Sequence, residues 1–153
     1  MEEILKKKLK KISLVSAVFL SFTLILFAIL LLDFFKVRTL KTVTLLALSS
    51  ADIAEEYKSI SNLKEVRSPN NLVFPAIFEG TLGDNKEVIL SFVRLTGKYG
   101  VYQGLFLYDK SKKEAFLCAV IADDYKKHPS NYGINEGIIQ YWKKKIVFEF
   151  DTL

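Results

Sequence analysis

The side chains best suited to chemistry in this sequence are one cysteine, Cys118, and one histidine, His128. A thiol and an imidazole together suggest a nucleophile and its base, the imidazole drawing the proton from sulfur. The neighbouring residues oppose that reading. Alternation along an apolar strand puts Cys118 on one face with Phe116 and Val120, the setting of a buried, inert thiol. His128 stands before Pro129 in a polar loop. A zinc site would have to be assembled from these two and carboxylates, without the paired cysteine and histidine spacings that hold zinc. Asp123 and Asp124 are adjacent and point different ways at a solvated strand end, so they do not share a proton or a metal. Gly97 and Gly100 form a Gly-x-x-Gly, but it joins two strands instead of opening a helix, so it is no phosphate cradle. The final Asp151-Thr152-Leu153 matches only the loosest carboxylate-recognition pattern. The expectation is no catalytic residue, no metal ligand and no cofactor.

What must position these residues begins with an apolar run. No charged residue occurs from Ile12 to Leu32, which is 21 positions, and about 20 apolar residues span a bilayer core. A cleaved signal has a shorter apolar stretch followed by small residues; here Leu30, Leu31, Leu32, Asp33, Phe34 and Phe35 follow, so a retained anchor is expected. The single cysteine lies far downstream, so no lipoprotein-type cysteine follows the run. Lys6, Lys7, Lys8, Lys10 and Lys11 precede it and Lys36, Arg38 and Lys41 follow it. The more basic flank normally stays inside, which puts the N-terminus in the cytoplasm or mitochondrial matrix and the C-terminal domain in the periplasm or intermembrane space. Ser13, Ala17, Ser21 and Ala28 fall on one stripe of such a helix, and small residues let helices approach closely in lipid. They are the candidate helix contact.

The formal charge of +5 is unevenly placed. The first eleven residues carry five lysines against Glu2 and Glu3, suiting a tail that touches anionic lipid. Beyond the span, basic and acidic residues are interspersed, which argues against a nucleic-acid surface. One cysteine excludes an internal disulfide framework, and no Asn-x-Ser/Thr sequon occurs. The chain therefore divides into a basic tail (1–11), a transmembrane helix (12–35), a juxtamembrane segment (36–48) and one extramembrane domain (49–153).

Within the domain, Ser49 as N-cap, Asp52, and Ile53, Tyr57 and Ile60 at helical spacing predict a helix over about Ser50 to Lys64. β-Rich runs then follow at Leu72 to Leu82, Lys86 to Leu95, Tyr99 to Tyr108 and Glu114 to Ala122, joined by "GDN", "TGK" and "DKSKK". Short polar connections of this kind make hairpins, and the four strands form an antiparallel meander. "INEGIIQYW" suggests a short helix, and "KIVFEF" alternates as a half-buried strand would. The class is α+β, one N-terminal transmembrane helix followed by a small domain with a meander and one or two packing helices.

The stretch "YGVYQGLFLY" is apolar on both faces, so both need covering. Tyr102, Phe106 and Tyr108 share one face with Gly100 and Gly104. That face is either internal core or the candidate docking face for a partner.

The order anchor, Tyr57, Glu79-Gly80 opening a hairpin, then "VRLTGKYGVY" over Val93–Tyr102 resembles the cytochrome oxidase assembly factor family and the related inner-membrane subunit of the mitochondrial presequence translocase. The resemblance extends over Ser49 to Phe150, departs from the family between Asp123 and Trp142, and places tryptophan where a strand tryptophan is not expected. It implies an α+β domain outside the inner membrane that binds partner proteins without catalysis. From the residues themselves the expectation is a non-enzymatic single-pass accessory subunit or assembly factor in a mitochondrial or bacterial inner membrane. Its partners are lipid and the other subunits of an integral membrane complex. The alternative is a membrane-anchored envelope sensor, with a ligand pocket lined by Tyr99, Tyr102 or Tyr141.

Overall fold

The computed structural model describes residues 2–83, 85–122 and 128–152, without the side chains of residues 2, 4–12, 14, 33 and 37. Asp123, Asp124 and the side chains of the basic tail thus lie outside the described residues. The chain forms two compact units, Met1–Leu40 and Lys41–Leu153.

The first unit is helix. α1 runs over Glu2–Ser50, and within it Val15–Ser50 is long and apolar enough to cross a membrane by length and composition. Its large side chains from Val15 to Phe35 are exposed, Phe19 by 73% and Leu30 by 68%. Each such side chain forgoes about 1.5–3 kcal/mol of burial while it stays in water. Two polar residues inside the run bond within the helix: the Ser21 hydroxyl donates to the Ala17 carbonyl and the Thr23 hydroxyl to the Phe19 carbonyl, both at 2.9 Å. The segment 36–48, whose sequence allowed a strand or a continued helix, is helical.

In the second unit a five-stranded antiparallel sheet has the order β1-β2-β3-β4-β5. The strands are β1 (Ser61–Val66), β2 (Ile77–Thr81), β3 (Glu87–Gly97), β4 (Gly100–Asp109) and β5 (Glu114–Ile121). The helix expected from Ser50 to Lys64 is not there. α2 is one turn, Glu55–Lys58, and Leu63 and Lys64 belong to β1. Ser49 lies in the last turn of α1 instead of capping a new helix, and its hydroxyl bonds the Leu46 carbonyl. Leu72–Phe74, expected in a strand, form a turn instead, with the Asn70 side chain accepting from the N–H groups of Leu72 and Val73.

"KIVFEF" is not a strand either. It continues "EGIIQYW" as α3, Glu136–Phe150. Asn135 caps it, its side chain accepting from the Gly137 N–H at 2.8 Å. Ile139, Ile146 and Phe150 are buried, the spacing of one helical stripe; the strand reading would have buried Phe148, which is 78% exposed.

α3 covers one face of the sheet. Its stripe packs with Phe74, Ile77, Ile89, Val93, Leu95, Phe106 and Tyr108, and the Phe150 ring lies 5.1 Å from Phe74 and 6.2 Å from Tyr108. The opposite face carries Phe78, Leu90, Phe92, Leu105 and Leu107, all fully buried. Tyr57 packs there on Phe116, ring centroids 4.8 Å apart, and Ala47, Leu48, Ala51 and Ile60 of the preceding segment are buried as well. Three layers result, with the sheet in the middle.

A bulge separates the two halves of β5. Phe106 pairs with Leu117 but Leu105 pairs with Ala119, so Cys118 is the extra residue. An inserted residue inverts the alternation beyond it. Phe116 therefore faces Tyr57 while Val120 joins the α3 side, and the single face expected for Phe116, Cys118 and Val120 does not exist.

Candidate interaction surfaces

The candidate docking face is interior. Phe106 and Tyr108 are 0% and 1% exposed under α3, and Tyr102 is half-buried against the Tyr132 ring at 4.9 Å. The domain uses its own C-terminal helix as the partner for these aromatics. The candidate helix contact, in contrast, is open: Ser13, Ala17, Ser21 and Ala28 are all exposed on α1.

Gly97 and Gly100 serve packing and turning. A side chain at Gly97 would collide with the Tyr132 carbonyl, and Gly100 sits at φ +154° directly after the turn. The 3-10 helix Pro129–Tyr132 docks there, with the Lys98 N–H donating to the Gly133 carbonyl at 3.1 Å. His128 caps this short helix. Its Nδ1 lies 2.8 Å from the Ser130 hydroxyl, which gives the imidazole a local structural role. Cys118 is buried, and burial pushes its thiol well above the ordinary range, which disfavours the thiolate a nucleophile requires.

The most developed polar cluster ties α2 to the β4–β5 turn. Asp109 is 1% exposed. Its carboxylate accepts from the Ser111 hydroxyl at 2.6 Å, from the Ser111 and Lys112 N–H groups at 2.9 and 3.1 Å, and from the Tyr57 hydroxyl at 2.9 Å. Burial alone pushes this carboxyl upward; the hydrogen bonds from Ser111, Lys112 and Tyr57 outweigh it and hold Asp109 below the ordinary carboxylate range. The Lys112 ammonium donates to Glu56 and to the Tyr57 hydroxyl, each at 2.8 Å. The Glu56 bond raises Lys112, and the same bond lowers Glu56. Asp109 is thereby fully satisfied, and the cluster reads as a clamp between the layers.

Two adjoining grooves run along the outer side of β5. One, of about 850 Å³, is lined by Lys113 to Phe116 and by Lys143, Lys144, Val147, Phe148, Asp151 and Thr152. The other, of about 370 Å³, continues along Phe116 to Val120 between Asp52 on one side and Glu136, Ile139 and Lys143 on the other, with His128 and Pro129 at its end. The tyrosines expected to line a sensor pocket are in neither: Tyr99 and Tyr141 are exposed, by 69% and 57%. Nothing in the residue pattern announced these grooves. They exist because "KIVFEF" is helix, which leaves β5 as the last strand.

A protein-family model described as "Uncharacterised protein" matches residues 48–151, more than half of the chain. The chain belongs to that family. The match begins at Leu48 and ends at Asp151, so the family is defined on the sheet, its two covering layers and the β5 grooves. No curated protein and no solved structure matches the chain.

Proposed function

We propose that this member of the family is a non-enzymatic single-pass membrane subunit or assembly factor of a larger inner-membrane complex, acting through protein contacts. The observation that carries the reading is the exposed apolar helix surface from Val15 to Phe35, running through a stripe of small residues. In lipid, apolar surface alone does not bring helices together; close backbone approach at small residues does. Because Ser21 donates within its own helix, it acts at this stripe by being small. The lysine-rich tail faces the cytoplasm or matrix in this reading, and the sheet domain faces the periplasm or intermembrane space.

The test is extraction of native membranes in mild detergent, followed by native-gel sizing and mass spectrometry of what migrates with the chain. Migration with a large complex at fixed stoichiometry is expected. Migration alone, at the size of a monomer or dimer, removes the subunit reading and favours a sensor. Changing Ser13, Ala17 and Ser21 together to leucine is expected to release the chain from the complex without unfolding the domain. Intact association of that variant would show that the stripe is not the contact.

A further inference from the structure

β5 ends the sheet, and its outer edge accepts and donates no hydrogen bond among the described residues. Which groups are open follows from the hairpin register. The β3–β4 turn closes across two residues on Gly97 and Gly100, so that pair exchanges hydrogen bonds, and such pairs alternate along the ladder. Counting on, Gln103, Leu105, Leu107 and Asp109 address β5 and meet Ile121, Ala119, Phe116 and Glu114. The backbone groups of Ala115, Leu117 and Val120 are left pointing outward. They line the floor of the two adjoining grooves, which share Phe116 and Lys143 and so form one channel along the strand.

We propose that this channel receives one extended segment of a partner protein, added to β5 as a sixth strand, apolar along most of its length and acidic at one end. A row of outward N–H and C=O groups is complementary to a strand. The edge is recessed between α3 and the segment carrying Asp52, which admits a lone strand but not the β5 of a second copy, itself recessed in the same way. Charge selects the sequence. Lys113 is engaged by Asp151 at 2.9 Å, whereas Lys143 and Lys144 make no ion pair among the described residues and so face the single carboxylate of Glu114 at this end with two ammonium groups, and beside them Val147 and the exposed Phe148 offer apolar surface. Carboxylates of the segment belong at this end, since Asp52 and Glu136 line the other. The inference rests on the reading that the domain works through protein contacts, and supplies its partner chemistry.

The test uses the full chain in detergent micelles and two fluorescent seven-residue probe peptides of alternating valine and threonine, one ending in two glutamates and one ending in two lysines. Saturable binding of the acidic peptide is expected, with the basic one weaker by about tenfold or more. Lys143→Glu with Lys144→Glu, both on the surface, is expected to lower acidic-peptide affinity by about tenfold and leave the fold intact. Ala115→Pro, which deletes one outward N–H at an edge position that tolerates proline, is expected to weaken both peptides. Amide exchange at Ala115, Leu117 and Val120 should slow on peptide binding. Absence of saturable binding, or equal binding of both peptides untouched by the lysine reversals, overturns the proposal. Protection of those amides that grows with protein concentration, without peptide, assigns the edge to a second copy and also overturns it. Failed peptide binding by a chain that still migrates with a complex removes only the channel; peptide binding by a chain that migrates alone keeps the channel and removes the complex.

Discussion

The two edges of the sheet solve the same problem in opposite ways. An open edge strand invites unwanted pairing, and proteins blunt it with charges, bulges and irregular backbone. β1 carries these devices in its own sequence: Lys64 and Glu65 are exposed, the register slips between Ser61 and Lys64, and Asn62 sits at φ +54°. The Asn62 and Ser61 side chains further tie it to Thr81. β5 is "EAFLCAVI", with no lysine and no proline. Its bulge redirects side chains, but what shields it is the walls on either side. Protection written into a strand needs nothing else, whereas protection by walls leaves a strand-shaped space.

The largest way to break this contrast is to take down the α3 wall. Phe150 is fully buried against Phe74 and Tyr108. Phe150→Ala should cost about 3–5 kcal/mol in denaturant unfolding and expose the β5 amides to exchange, while β1 amides keep their native rates at low denaturant. Equal acceleration at both edges would show that the layers do not shield them differently.

The opposite wall depends on the clamp at Asp109. Tyr57→Phe removes a hydrogen bond to a buried carboxylate and should cost about 1.5–3 kcal/mol. The pH dependence has a definite sign. Asp109 is held below its ordinary range when folded, so its contribution is complete above the unfolded value of about 3.9 and is lost as pH falls through the folded one. Urea midpoints at pH 7 and pH 3 should fall further in the native chain than in Tyr57→Phe. Identical losses in both would mean that Tyr57 does not hold the carboxylate low.

What could be read from the sequence divides along physical lines. The anchor-like helix and the three hairpins from Ile77 to Ile121 follow from local patterns, namely an uncharged run and β-rich stretches broken by Gly, Asp and Asn. The failures share a cause, which is that short amphipathic segments fit two periods at once. Ile53, Tyr57 and Ile60 fit a helix, yet the chain keeps only Glu55–Lys58 helical because Leu63 is needed in β1. Ile146, Phe148 and Phe150 fit a strand, yet the stripe Ile139–Ile146–Phe150 covers the aromatics of β4, and that tertiary gain decides for a helix. The same decision hid Tyr102, Phe106 and Tyr108, and created the β5 channel. The bulge at Cys118 carries no composition signal at all, since an inserted residue is visible only in the pairing.

The smallest effect expected lies midway between the edges. Ser91, on β3, stands opposite Ile77 on β2 and Phe106 on β4, and its buried hydroxyl has no hydrogen-bond partner among the described residues. An unsatisfied hydroxyl in such a place costs stability, so Ser91→Ala should stabilise the domain by about 0.5–1 kcal/mol, seen as a higher urea midpoint with an unchanged slope. Because Ser91 touches neither edge, exchange protection should rise equally at β1 and β5. A rise confined to β5 would mean that the edges differ through the rigidity of the sheet itself, and the walls would lose their part in the explanation.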